Sequence, residues 1–160
     1  MSVETVKSYF HRYGMEERIK EFETSSATIE LAARALGCEP ARIAKSLSFK
    51  AGDTYLLVIT AGDAKIDNAR YKARFDTKAR MLTPDEAVEY IGHAIGGVCP
   101  FAVKGTVEIY LDISLKGFST VFPACGSSNS AIELSIPELE KYSVFKEWVD
   151  VCKNWQEETE

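Results

Sequence analysis

Apolar residues recur at helical spacing over residues 3–13, where Val3, Val6, Phe10 and Tyr13 share one face and Gly14 follows. This predicts a packing helix with a glycine just past its end. A short extended stretch from Arg18 to Glu23 leads into Thr24, Ser25, Ser26 and Thr28, each a candidate cap for a second helix. That helix turns Leu31, Ala32, Ala35 and Leu36 inward and ends at Gly37, with Pro40 beyond it. From Ile43 the period becomes two. Ile43-Ala44-Lys45-Ser46-Leu47-Ser48-Phe49 alternates apolar with small polar residues, and Ala51-Gly52-Asp53 turns this strand toward a partner over Tyr55 to Thr60.

Further along, Thr83-Pro84-Asp85-Glu86 carries the marks of a helix start: a capping threonine, proline in the first turn and a glutamate three residues on, with Gly92 as the stop. Val107, Ile109, Leu111, Ile113 and Leu115 form the longest strict alternation, read as a strand over at least its first half. Ser119 to Pro123 and Ser130 to Leu134 read as short strands around the loop Ala124-Cys125-Gly126-Ser127-Ser128-Asn129. Ser135-Ile136-Pro137-Glu138 repeats the capping signal. Phe145, Trp148, Val149 and Cys152 then fall at i, i+3, i+4 and i+7, which predicts a C-terminal helix over about 144–155 and a frayed tail from Gln156 to Glu160. Strands mixed with helices, without a βαβ rhythm or an internal repeat, indicate an α+β fold, and 160 residues suit one domain over 1–160.

Composition narrows the class. With 46% hydrophobic and 27% charged residues the chain is neither disordered, collagen-like nor coiled coil. No run approaches the roughly 20 apolar residues of a membrane span. Met1-Ser2-Val3-Glu4 lacks a signal-peptide pattern, which predicts a cytoplasmic protein whose thiols stay reduced. Cys38, Cys99, Cys125 and Cys152 form no C-x-x-C pair and the only histidines are His11 and His93, so neither a metal site nor a cofactor is expected. The net charge of −5 argues against a surface that coats nucleic acid, yet it is unevenly spread. Lys65, Arg70, Lys72, Arg74, Lys78 and Arg80 against Asp67 and Asp76 give +4 over residues 65–80, while from Glu133 onward three lysines oppose eight acidic residues. With Tyr71 and Phe75 interleaved, the basic belt reads either as a contact for a phosphate backbone or as a solvated helix face.

Three places carry candidate chemistry. Lys45 shares an apolar strand face with Ile43, Leu47 and Phe49, so it is either a partly desolvated ammonium able to bind an oxyanion, carboxylate or phosphate, or a side chain snorkelling from the strand's start. Ile95-Gly96-Gly97-Val98-Cys99-Pro100-Phe101 offers paired glycines whose N–H groups suit an anion or a carbonyl, or make a tight turn. Cys99 with His93 as base is a rival, nucleophilic reading of that segment. Gly126-Ser127-Ser128-Asn129 is a small-residue loop between strands, either a ligand loop or a plain hairpin.

The ordered set Thr28, Leu31-Ala32-Ala33, Leu36-Gly37, Ile43-Ala44-Lys45-Ser46-Leu47, Gly96-Gly97-Val98-Cys99-Pro100, Leu111-Asp112 and Ala124-Cys125-Gly126-Ser127 resembles the YbaK family, also described as the prolyl-tRNA-synthetase-associated editing domain, over about residues 20–142. The resemblance implies a curved or barrel-like mixed sheet surrounded by helices, and hydrolysis in trans of the ester of a mischarged aminoacyl-tRNA. Transfer RNA for proline carrying cysteine or alanine is the expected substrate, and no cofactor is implied. It places Lys45, Gly97, Gly126 and Ser127 in the catalytic set and Gly96, Val98, Cys99, Pro100, Cys125, Ser128 and His93 around the substrate. Lys65, Arg70, Lys72 and Arg74 become the candidate contacts to tRNA. An aminoacyl-tRNA synthetase is a possible docking partner. A non-catalytic module that binds an aminoacyl end or a nucleotide, and a small cysteine hydrolase using Cys99 and His93, are the competing readings.

Overall fold

The computed structural model describes residues 3–23, 28–94 and 96–155. Thr24, Ser25, Ser26 and the tail from Gln156 lie outside the described residues. The organising element is the hairpin β2 (Ile43–Ala51) and β3 (Thr54–Ala61), joined at Gly52 with φ +62. β3 runs through the centre, and Leu56, Leu57, Val58 and Ile59 are buried on both of its faces. β5 (Glu108–Asp112) pairs parallel with β3, and β6 (Thr120–Pro123) pairs parallel with the start of β2. The sheet ends in β8 (Leu134–Ser135) beside β6 and β9 (Glu147–Val149) beside β5, giving six strands in the order β8-β6-β2-β3-β5-β9. Two smaller pairs close its rim: β1 (Ile19–Glu21) with β7 (Ser130–Ile132), and β4 (Lys65–Ile66) with β10 (Cys152–Lys153). The result is the α+β fold expected, a curled half-barrel of mixed strands with helices around it.

Local signals set the helix boundaries. α1 (Val3–His11) buries Val6 and Phe10, with the Phe10 ring edge-on to Phe101 at 4.8 Å. α2 (Ile29–Leu36) is capped by Thr28, whose hydroxyl accepts from Leu31 N–H, and Gly37 ends it at φ +69. α3 (Asn68–Phe75) starts from Asp67, which accepts from the N–H groups of Ala69 and Arg70. The capping boxes at Thr83 and Ser135 both form, opening α4 (Pro84–Glu86) and α5 (Ile136–Ser143). α4 continues into a π-helical turn over Ala87–Ile91, which Gly92 closes at φ 105. No helix among the described residues is long and apolar enough to cross a membrane.

The expected C-terminal helix over 144–155 does not form. After α5, Val144 takes φ +52, and the chain runs extended as β9 and β10. Long-range partners outweigh the local period: Lys146 N–H donates to Ile109 O, β9 completes a ladder on β5, and Val151 N–H donates to the buried Asp112 carboxylate at 2.9 Å. A helix would leave both the β5 edge and Asp112 without these donors.

Candidate active site

One edge of β2 contains a gap. β3 covers the other edge throughout, but β6 reaches only Ile43 and Ala44 before ending at Pro123. Pairing resumes at Ser48, whose carbonyl accepts from Leu82 N–H, and at Lys50, whose N–H donates to Arg80 O. Residues 45–47 lie between these two covers and form one wall of a cavity of about 270 Å³. Ile29, Ala32 and Leu36 of α2 supply a second, apolar wall, and Phe22, Val98 and Phe122 extend it. Gly96 and Ser127 bring in the two small-residue loops.

Lys45 stands on this wall, and its head is ordered. Nζ donates to Ala64 O at 2.5 Å and to Gly62 O at 3.4 Å, leaving one N–H of the ammonium for a ligand. Its head is therefore anchored by the 62–64 turn, not snorkelling from the strand's start. Burial pulls its pKa below the usual lysine value, and nearby Asp63 opposes that shift.

The loops dock on each other through Gly97. A Cβ there would fall 2.5 Å from Gly126 C, 2.6 Å from its carbonyl oxygen and 2.6 Å from Ser127 N, so only glycine permits this approach. Gly96, at φ +93, lies against Ser128, whose Cβ would be 3.2 Å from a Gly96 Cβ. One backbone donor expected for an oxyanion, that of Gly97, is otherwise engaged. Gly97 N–H donates to Ala94 O at 3.0 Å. Gly97 and Gly126 thus shape the loops, while Gly96 and Ser127 reach the wall. Asn129 pins the second loop: its side chain donates to Phe22 O, its carbonyl accepts from Phe22 N–H, and its Oδ1 accepts from Ser127 Oγ at 2.8 Å.

His93, Cys99, Pro100 and Cys125 are buried and none of them lines the cavity. Cys99 and His93 do meet, with Sγ 3.6 Å from Nε2, but as core neighbours. Nε2 also lies 2.7 Å from Phe101 O. A carbonyl only accepts, so Nε2 carries the proton and is not a base for the thiol. Burial pushes the Cys99 thiol up to about 12 and the His93 pKa down, and Cys125 is likewise raised. The cysteine-hydrolase reading fails on each count. Iodoacetamide at neutral pH is expected to add one label to the folded protein, at the half-buried Cys38. Intact-mass analysis showing an adduct on Cys99 or Cys125 would contradict this placement.

The basic belt is partly neutralised by the acidic C-terminal segment. Arg70 pairs with Asp150 at 2.9 Å, and Arg74 pairs with Glu147 while lying over the Phe75 and Tyr110 rings. Tyr71 is fully buried against Phe49 and Phe75, so it is a core residue and offers no stacking platform. Lys65 is exposed on β4, whereas Lys72 and Lys78 line a second hollow of about 410 Å³ with Asn68, Ala69 and Ala79. Among the described residues no group of three or more His, Cys, Asp or Glu side chains is placed to hold a metal ion.

Sequence reasoning missed Ser46 and Phe22 as wall residues. The alternation around Ser46 is the same on a solvated strand, and the position of Phe22 depends on Asn129, 107 residues away.

The chain is 55% identical over 157 residues, 98% of this chain and all of the relative, to the uncharacterised protein YwhH of Bacillus subtilis (strain 168). It is 34% identical over 104 residues to the proline–tRNA ligase of Thermotoga maritima, covering 64% of this chain and 18% of the ligase, so the match corresponds to about a fifth of that enzyme. A solved structure presented as a candidate trans-editing enzyme for prolyl tRNA synthetase superposes with a TM-score of 0.85 at 27% identity, over 95% of this chain and 97% of that one. The model of the aminoacyl-tRNA editing domain matches residues 23–142, the span that contains the β2 gap, Lys45 and both loops, and the chain belongs to that family.

Proposed function

We propose that this protein is a trans-editing hydrolase that cleaves the ester between a wrong amino acid and the terminal adenosine of a tRNA, with tRNA for proline carrying cysteine or alanine as its first substrates. The observation that carries the reading is the cavity at the β2 gap, small, largely apolar and closed on one side by an anchored lysine. Such a cavity serves as a second sieve. A synthetase pocket rejects a close isostere by only about 1–3 kcal/mol, and a separate site that admits small aminoacyl groups supplies the rest.

Ester hydrolysis builds negative charge on the former carbonyl oxygen. The remaining N–H of Lys45 and the backbone N–H groups of Gly96 and Ser127 are the donors this wall offers to that charge. The two carbonyls on Nζ favour the ammonium form against the pull of burial. The attacking group is water or a hydroxyl of the substrate itself. Ser127 Oγ is engaged with Asn129 and Ser130, and the thiols are closed off. The deciding experiment is deacylation of cysteinyl- and alanyl-tRNA for proline by the wild type and by Lys45→Ala. No release of either amino acid by the wild type overturns the proposal.

The acceptor stem is expected to rest on the lysines of the belt. Lys72→Ala is expected to weaken tRNA binding and to reduce the slope of log K against log salt by roughly 1. Arg70→Gln, whose partner is Asp150, is expected to leave that slope unchanged. Equal slopes for the two variants and the wild type would remove Lys72 from the interface. Docking on a synthetase is compatible with the same face.

A further inference from the structure

Two wall residues from opposite ends of the chain meet at one side chain that stands behind the wall. Phe22 and Ser127 line the cavity, and Asn129 does not. The Asn129 amide gives Nδ2 to Phe22 O at 2.9 Å and takes the Ser127 hydroxyl on Oδ1 at 2.8 Å. A carbonyl only accepts, so the NH2 end of the amide must face Phe22 and its oxygen must face Ser127. With its proton committed to Asn129, Ser127 Oγ accepts in turn from Ser130 Oγ at 2.7 Å. The Asn129 backbone carbonyl accepts from Phe22 N–H at 2.8 Å, so both polar backbone groups of Phe22 end on this one residue. The β1–β7 ladder stops at the pair Glu21 and Ser130. Beyond it, Asn129 supplies with its own side chain the donor that a further strand residue would have given.

We infer that Asn129 is a positioning residue for substrate size: it fixes Phe22 against the Ser127 loop and so keeps the cavity closed to an aminoacyl group larger than cysteine, the prolyl ester first. The inference rests on the hydrolase reading above. An enzyme that acts on tRNA for proline meets the correct prolyl ester on the same tRNA. Sparing it cannot come from the tRNA and has to come from the aminoacyl cavity. Exclusion by size is a clash, and a clash discriminates only as far as the wall refuses to yield. Phe22 is half-buried on a short segment, and the Asn129 amide is what ties its backbone to the loop. A small group such as alanyl does not press on that wall, so its hydrolysis does not depend on the tie.

The test compares kcat/KM for alanyl, cysteinyl and prolyl esters of one tRNA. It uses the wild type, Asn129→Ala, Asn129→Asp, Phe22→Ala and the double variant carrying Phe22→Ala and Asn129→Ala. Asn129→Ala is expected to raise prolyl hydrolysis about tenfold and to leave alanyl hydrolysis within about threefold, a gain at the low end of what one methylene is worth in a closed pocket. Asn129→Asp keeps the acceptor for Ser127 but turns an oxygen toward Phe22 O, and is expected to admit the prolyl ester as Asn129→Ala does. In the double variant, Asn129→Ala is expected to add nothing to the effect of Phe22→Ala, because the two residues act as one unit. An unchanged prolyl-to-alanyl ratio in both Asn129 variants, or an equal loss for all esters, overturns the assignment. Additive gains in the double variant overturn the route through Phe22, and failure of both Asn129 variants to fold assigns the amide to the fold alone. Prolyl release by the wild type as fast as alanyl release overturns the inference and leaves the hydrolase reading standing. Absence of alanyl and cysteinyl release by the wild type overturns that reading and this inference with it.

Discussion

Replacing Lys45 by methionine is expected to lower deacylation by roughly 10²–10³, the usual loss when one donor to a developing oxyanion is removed. Methionine keeps much of the side-chain bulk while withdrawing the charge. Ala64 O and Gly62 O lose their donor, and a desolvated cation disappears, so the two effects on stability oppose each other. The sign of the pH dependence separates them. Because the folded-state pKa of Lys45 lies below the unfolded value of 10.5, the unfolded chain binds more protons between these two pKa values. Wild-type stability relative to the variant therefore rises with pH through that window, and the cost of the buried charge is fully present below it. Denaturant titrations at several pH values, run beside single-turnover deacylation, measure both. A Lys45→Met protein with wild-type turnover would remove Lys45 from the chemistry whatever its stability.

The second large effect is expected at Gly97. Alanine there places a carbon within 2.6 Å of the Gly126 and Ser127 backbone, and backbone cannot swing aside as a side-chain tip does. Separating the two loops is expected to cost about 3 kcal/mol, as overpacking in a tight core does. For a chain of this size that lowers the unfolding midpoint by roughly 9 °C. Activity is expected to fall with it, because Gly96 and Ser127 lose their spacing across the cavity. Gly105→Ala is the matched control, since a Cβ at that position meets nothing within 4 Å. Equal midpoints for the two variants would show that the loops tolerate separation.

These residues also mark how far the sequence was legible. Caps were readable because they are local: Thr28, Thr83 and Ser135 each act on a residue three positions away, and all three do so in the structure. The β2–β3 hairpin was equally local, announced by alternation over Ile43 to Phe49 and by the turn residues Ala51-Gly52-Asp53. Phe145, Trp148, Val149 and Cys152 misled because an i, i+3, i+4, i+7 pattern also suits a bent extended segment that buries alternate sides. The deciding partners, Ile109 and Asp112, lie 37 and 39 residues away from the groups they bind. Charge was legible in sign but not in pairing. Nothing near Arg70 or Arg74 announces Asp150 or Glu147, so the belt looked more basic than its surface is. Within the candidate site, Lys45 was conspicuous as a charge among apolar positions. Ser46 was silent, since the alternation around it is the same on a solvated strand as beside a cavity.

Adjacent residues on a pleated strand point to opposite sides, and β2 applies this rule at the gap. Lys45 turns to the 62–64 carbonyls, while its neighbour Ser46 takes the other side. The ribbon between them is held along its whole length by β3, so neither side chain needs the other to stay in place. The two side chains therefore answer to different surroundings although they are one peptide bond apart. An exchange at position 46 is thus felt on the far side of the sheet, while the anchorage of the lysine beside it stays as it was.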